Sequence, residues 1–130
     1  MNEIAKPYYE RFLHLAALAQ RIRDSLAQDE DWASVVLFYS TVHLMNSYLV
    51  AKISYQPSLA VHHDRFVAMR KCPELRESPE EHRKLKDLSE SVRYDPGFIF
   101  GTHHLASADK QFDKIRRIVE PKVKKLLGLI

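Results

Sequence analysis

One stretch constrains this chain more than any other: Asp31 to Ile53, DWASVVLFYSTVHLMNSYLVAKI. After Asp31 it carries no formal charge until Lys52. Val35, Val36, Leu37, Phe38, Val42, Leu44, Met45, Leu49 and Val50 cover several faces of the helix it predicts. A helix that is apolar around most of its circumference must be enclosed by other helices or by lipid. The scattered Ser, Thr, His and Asn, and the amphipathic segments on both sides, favour helices. The longest uninterrupted apolar run is also far shorter than the roughly 20 residues of a membrane span. Tyr39, His43 and Asn46 follow i, i+4, i+7 and share one face. His43 and Asn46 are the interior residues most costly to bury, so a site on this helix is expected there.

The flanking segments supply the enclosure. Tyr8, Phe12, Leu15, Ala19, Ile22 and Leu26 step by four and three, which predicts a first helix from Lys6 to Gln28 with one apolar stripe. Asp29, Glu30 or Asp31 can cap the helix that follows. The short link makes the first two helices antiparallel neighbours. After Ser54-Tyr55-Gln56-Pro57-Ser58 a third helix is predicted from Leu59 to Lys71, with Leu59, His62, Phe66 and Met69 inward and Pro73 beyond its end. Ser78-Pro79-Glu80-Glu81 reads as a capping box opening a fourth helix. Leu85, Leu88 and Val92 point inward there, and Tyr94-Asp95-Pro96-Gly97 stops it. Phe98, Ile99 and Phe100 either cover the bundle end or form a contact patch. A last helix begins between Thr102 and Ser107 and reaches Leu127, with a kink at Pro121. Its core stripe is Phe112, Ile115, Ile118, Val119, Val123, Leu126 and Leu127. With 130 residues and only 3 glycines, residues 1–130 read as one all-α domain, an up-and-down bundle of four to five helices.

Charge and composition exclude more than they name. A net charge of +3 permits a nucleic-acid partner without demanding one. Lys110, Lys114, Arg116, Arg117, Lys122, Lys124 and Lys125 outnumber Asp113 and Glu120 in the last helix. They read as a solvated outer face, with a phosphate-binding stripe along Lys110, Lys114 and Arg117 as the alternative. The lone Cys72 forms no internal disulfide and suits a reducing cytoplasm. Glu3, Lys6, Glu10 and Arg11 interrupt any apolar leader. His62-His63 and His103-His104 are adjacent pairs, whose side chains on a helix diverge by about 100 degrees and do not readily chelate one ion. There is no H-E-x-x-H, one cysteine makes no zinc knuckle, and His43 with His62 or His63 lacks a supporting carboxylate. No metal and no cofactor is expected. G-x-S-x-G, the P-loop and the dinucleotide fingerprint are all missing.

What remains is a constellation of Tyr39, His43, His62, His63, Arg65, Arg93, Tyr94 and Asp95. Imidazole moves protons near neutral pH, and guanidinium holds phosphate in two-point contact. Together they could serve metal-free RNA cleavage, with His43, His62 or His63 as base and Arg93 or Arg65 as phosphate clamp. The structural alternative is a buried His43 hydrogen-bonded to a neighbouring helix and an Arg93–Asp95 ion pair at a helix end.

Three motifs in this order resemble the HEPN superfamily of small helical domains. The first is Phe38-Tyr39-Ser40-Thr41-Val42-His43-Leu44 with Asn46-Ser47-Tyr48-Leu49, similar to that family's aromatic second helix. The second is His62-His63-Asp64-Arg65 at the start of the next helix. The third is Leu85-x-x-Leu88-Ser89-x-x-x-Arg93-Tyr94-Asp95-Pro96. The resemblance spans Trp32 to Phe98. It implies a helical bundle, usually a homodimer, and often a nucleotidyltransferase-type or antitoxin partner. Active members are metal-independent ribonucleases of toxin–antitoxin, defence and RNA-processing systems, with an Arg followed by four to six residues and a His. Arg93 has no such His after it. The one literal match, Arg76 to His82, places Arg76 in a loop and His82 in a first helical turn, and reads as accidental. The expectation is a module that binds RNA, nucleotide or a partner protein without catalysis. An active endoribonuclease and a plain dimerisation scaffold are the alternatives.

Overall fold

A computed structural model describes residues 2–25, 29–57 and 62–130. Among the described residues the chain is an all-α bundle of five helices: α1 (Asn2–Ser25), α2 (Glu30–Ile53), α3 (His62–Arg70), α4 (Ser78–Tyr94) and α5 (Thr102–Leu126), with a 3-10 turn, Pro73–Leu75, before α4. Among the described residues there is no strand.

α2 is the axis of the bundle and touches all four other helices. Of its 24 residues, 15 are buried, which is why its sequence is apolar nearly all round. By length and composition alone it could cross a membrane, but 83% of its most apolar stretch is buried inside the protein. Ser34, Ser40 and Thr41 fit inside because each bonds its own helix. Ser40 Oγ donates to the Leu37 carbonyl at 2.7 Å and Thr41 Oγ1 to the Phe38 carbonyl at 2.7 Å, so neither of these buried hydroxyls is left unsatisfied.

Side-chain bonds fix the helix directions. Ser47, late in α2, bonds to the Ala5 carbonyl, early in α1, so α1 and α2 are antiparallel. Tyr9 meets Glu120, and Arg23 meets Asp109, so α1 is antiparallel to α5. Tyr39 meets Arg93, and Thr41 meets His82, so α2 is antiparallel to α4. The four long helices therefore run up, down, up and down, with α3 a short strut between α2 and α4.

Local details correct the sequence reading. The buried stripe of α1 is Ala5, Tyr9, Phe12, Leu15 and Ala19. Tyr9 rather than Tyr8 belongs to it, because its hydroxyl has a buried carboxylate, Glu120, to meet. Gln28, Leu26 and Leu59 lie outside the described residues. The capping box of α4 does not form. Ser78 is buried and its hydroxyl donates to the Leu75 carbonyl, while Glu81 turns to Lys84 and Lys114. Leu85 is buried as expected; Leu88 and Val92 are half-buried. α5 continues through Pro121, which is exposed, to Leu126. Phe98 and Phe100 fold their rings onto His104 at 4.9 and 5.5 Å and so cover one end of the bundle, with Ile99 between them 85% exposed.

Candidate functional site

The polar centre of the molecule is a relay through α2, α3 and α4. Arg65, on α3, is only 5% exposed. Its Nε donates to His82 Nε2 at 3.1 Å, and its Nη2 donates to His62 Nδ1. His82, on α4, is completely buried, and its Nδ1 lies 2.9 Å from Thr41 Oγ1. A guanidinium has donors only, so both histidine nitrogens that face it must be acceptors. His82 therefore carries its proton on Nδ1 and gives it to Thr41, whose own proton goes to the Phe38 carbonyl. His62 carries its proton on Nε2. Phe38 lies against both imidazoles, 5.7 Å from His62 and 5.2 Å from His82, and Phe66 lies 5.3 Å from His82.

Electrostatics agree with that proton assignment. Burial, then the Arg65 charge, holds His82 well below the ordinary histidine value. The same two causes lower His62. Burial also brings Arg65 down to about 10, and the groups that offset it are the phenols of Tyr55 and Tyr39. Arg65 thus stays cationic at neutral pH beside two neutral imidazoles.

His62 carries the relay to an open recess of about 450 Å³ between α3 and α4, lined by His62, His63, Phe66, Arg70, Arg83, Lys86, Asp87 and Glu90. Next along α4, Arg93 donates through Nη1 to Tyr39 Oη at 2.6 Å and to Tyr94 Oη at 3.1 Å. Its guanidinium carbon sits 5.3 Å from the Tyr39 ring centre and 4.8 Å from that of Tyr94. Arg93 and Lys86 both help to lower His62, which ties the recess and the Arg93 cluster into one site. Tyr94 is 72% exposed and offers a free aromatic face beside a cation.

Of the residues singled out in the sequence, the structure unites Tyr39, His62, Arg65, Arg93 and Tyr94, and sets His63 on the rim. His43 leans the other way: it stacks on Tyr8 at 6.2 Å, and its Nδ1 is buried with no hydrogen-bond partner. Burial, then Arg11 and Arg65, lowers its pKa. Asp95 forms no pair with Arg93; it accepts the Gly97 N–H at 3.0 Å and shapes the turn. The residue at the centre is His82, which by spacing from Arg76 alone reads as accidental. His82 is held by Arg65, not by Arg76, which is exposed at a positive φ of 51°. The missed signal was helical spacing: Ser78, His82, Leu85 and Ser89 share the buried face of α4.

Other candidates resolve into structural roles. Cys72 is buried and burial raises its pKa, the opposite of an activated thiol. The His103 and His104 rings do not diverge; their centres are 3.9 Å apart, because His104 Nδ1 bends back to accept the Gly101 N–H at the start of α5. Among the described residues no three His, Cys, Asp or Glu side chains converge to hold a metal.

The class these features define is an all-α bundle with an arginine–histidine relay beside an open recess lined by charges of both signs. No protein-family model, curated protein or solved structure matches the chain.

Proposed function

We propose that this chain is a HEPN-like module that binds RNA or a nucleotide through the α3–α4 groove without cleaving it. It would act in the cytoplasm, as a homodimer or beside a nucleotidyltransferase-type or antitoxin partner, in a toxin–antitoxin, defence or RNA-processing system. One observation carries the reading. Both histidines of the relay spend their lone pairs on Arg65, so neither has a nitrogen with which to remove a proton from a 2′-hydroxyl. The groove retains what recognition needs: Arg70, Lys86 and Arg93 as phosphate contacts and Tyr94 as a stacking surface.

The test is anisotropy with labelled single-stranded RNAs in EDTA, with the same samples run on a denaturing gel. Intact RNA is expected to bind, and Arg93→Ala to weaken it by roughly tenfold, the loss of one charge-assisted contact of about 1.5 kcal/mol. Unchanged binding in Arg93→Ala removes the groove from the reading. Cleavage abolished by His63→Ala would favour the endoribonuclease reading instead, since His63 is exposed on the rim of the recess and is the groove histidine that Arg65 leaves free.

A further inference from the structure

On the other side of α4, facing α5, lies a smaller recess of about 250 Å³ lined by Glu81, Lys84, Ser107, Lys110, Gln111 and Lys114. Three ammonium groups share it with one carboxylate. Lys84 and Lys114 both reach the same oxygen of Glu81, each at 3.5 Å, and Glu81 is only 7% exposed. Among the described residues Lys110 has no ion pair. The recess is left with an excess of two positive charges.

Helix ends do not explain that excess. The lysines of another pocket, Lys52, Lys122 and Lys125, sit in or beside the last turns of α2 and α5, where a cation offsets the negative end of a helix. Lys110 and Lys114 lie inside the 25-residue α5. Lys84 lies in the second turn of α4, whose nearer end is the positive one. Lys110 and Lys114 are also spaced i, i+4, where like charges repel. Gln111 also lines the recess, and among the described residues its buried Oε1 has no hydrogen-bond partner.

We infer that this recess is an anion site for a phosphate dianion, free or as a monoester, held by Lys84, Lys110 and Lys114 with the Ser107 hydroxyl. Rotation of the Gln111 side chain lets its carbonyl, closed to solvent in the empty recess, accept a donor from the ligand, either the P–OH of hydrogen phosphate or a hydroxyl of the esterified group. The site is separate from the α3–α4 groove and stands or falls independently of the function proposed for it.

The experiment is a titration of the full chain followed by amide chemical shifts, with inorganic phosphate, ribose 5-phosphate and chloride at matched ionic strength. Phosphate is expected to move the amides around Ser107–Lys114 and Glu81–Lys84 saturably, and chloride to leave them in place. Lys84→Gln, Lys110→Gln and Lys114→Gln should each weaken binding by roughly two- to fivefold. Arg83→Gln, on the groove side of α4, should not. Tighter binding of ribose 5-phosphate that is lost in Gln111→Ala assigns the site to a phosphate monoester. Equal binding of the two assigns it to free phosphate. Shifts that chloride reproduces, or that survive all three lysine variants, overturn the proposal.

Discussion

At His82 the ring has no freedom of protonation. One nitrogen accepts from Arg65 and the other donates to Thr41, and no water reaches it. A proton added at Nε2 would set two donors head to head beside a guanidinium. Because the folded pKa lies well below the ordinary value of about 6.5, the unfolded chain binds a proton below that pH which the folded chain refuses. The stability linked to this group is complete above about pH 6.5 and is lost as pH falls toward the folded value, by up to about 1.4 kcal/mol per pH unit. His62 and His43 are shifted in the same direction and add to the slope. His82→Gln should keep a carbonyl for Arg65 and an amide donor for Thr41 while removing the titration. Urea-unfolding free energies measured between about pH 7 and pH 5.5 are expected to fall less steeply in this variant, by one histidine's share. An unchanged slope would mean that the buried ring accepts the proton after all.

At the scale of helices, α1 is held to α5 at both ends by unlike devices. Near the start of α1, Tyr9 Oη donates to Glu120 Oε2 at 2.8 Å while Arg116 Nε donates to Oε1 at 2.7 Å. Burial pushes the Glu120 carboxyl up, but these two bonds bring it below its ordinary value, and burial with the Glu120 bond drives the Tyr9 phenol up to about 12. Near the end of α1, Arg23 grips Asp109 with two bonds of 2.6 and 2.8 Å, both side chains about a third exposed. The ranking follows from burial. Tyr9→Phe leaves a buried carboxylate oxygen unpaired and should cost about 1–3 kcal/mol, whereas Asp109→Asn should cost about 1 kcal/mol or less. Urea midpoints of the two variants check the order, and equal losses would sink it. The same helices show what could be read in advance. α2 was legible because a helix enclosed on all sides must be apolar on all sides, and the core of α5 because Phe112, Ile115, Val119 and Val123 keep a regular period. The buried polar groups were not. Tyr9, Glu120, Arg65 and His82 are acceptable inside only because each finds a partner far away in sequence, and helical spacing records nothing about such partners. His62 and Arg65 are legible as chemistry, but the relay, in which Arg65 occupies the lone pairs of His62 and His82, depends on His82, whose spacing from Arg76 reads as accidental.

Taken as a whole, the molecule has too little charge for strong non-specific attraction to nucleic acid. Its net charge is +3, and Lys86 and Arg83 at the groove are already paired with Glu90 and Glu80 at 2.6 and 2.5 Å. A binder of this kind must therefore rely on a few placed contacts and on stacking rather than on a field. Arg70, Lys86 and Arg93 amount to about two to three phosphate contacts, for which the logarithm of affinity should fall against the logarithm of salt with a slope of about −1.4 to −2.1 on a single strand. Tyr94→Ala should lower affinity by roughly tenfold or more, the loss of one stacked base at about 1–3 kcal/mol, and leave that slope unchanged, because a ring releases no counterions. Lys86→Ala should do the reverse, reducing the slope by about 0.7. Anisotropy across a salt series separates the two effects. A slope several times steeper, insensitive to both variants, would place the RNA on the lysine-rich face of α5 and return the α3–α4 groove to a purely structural role.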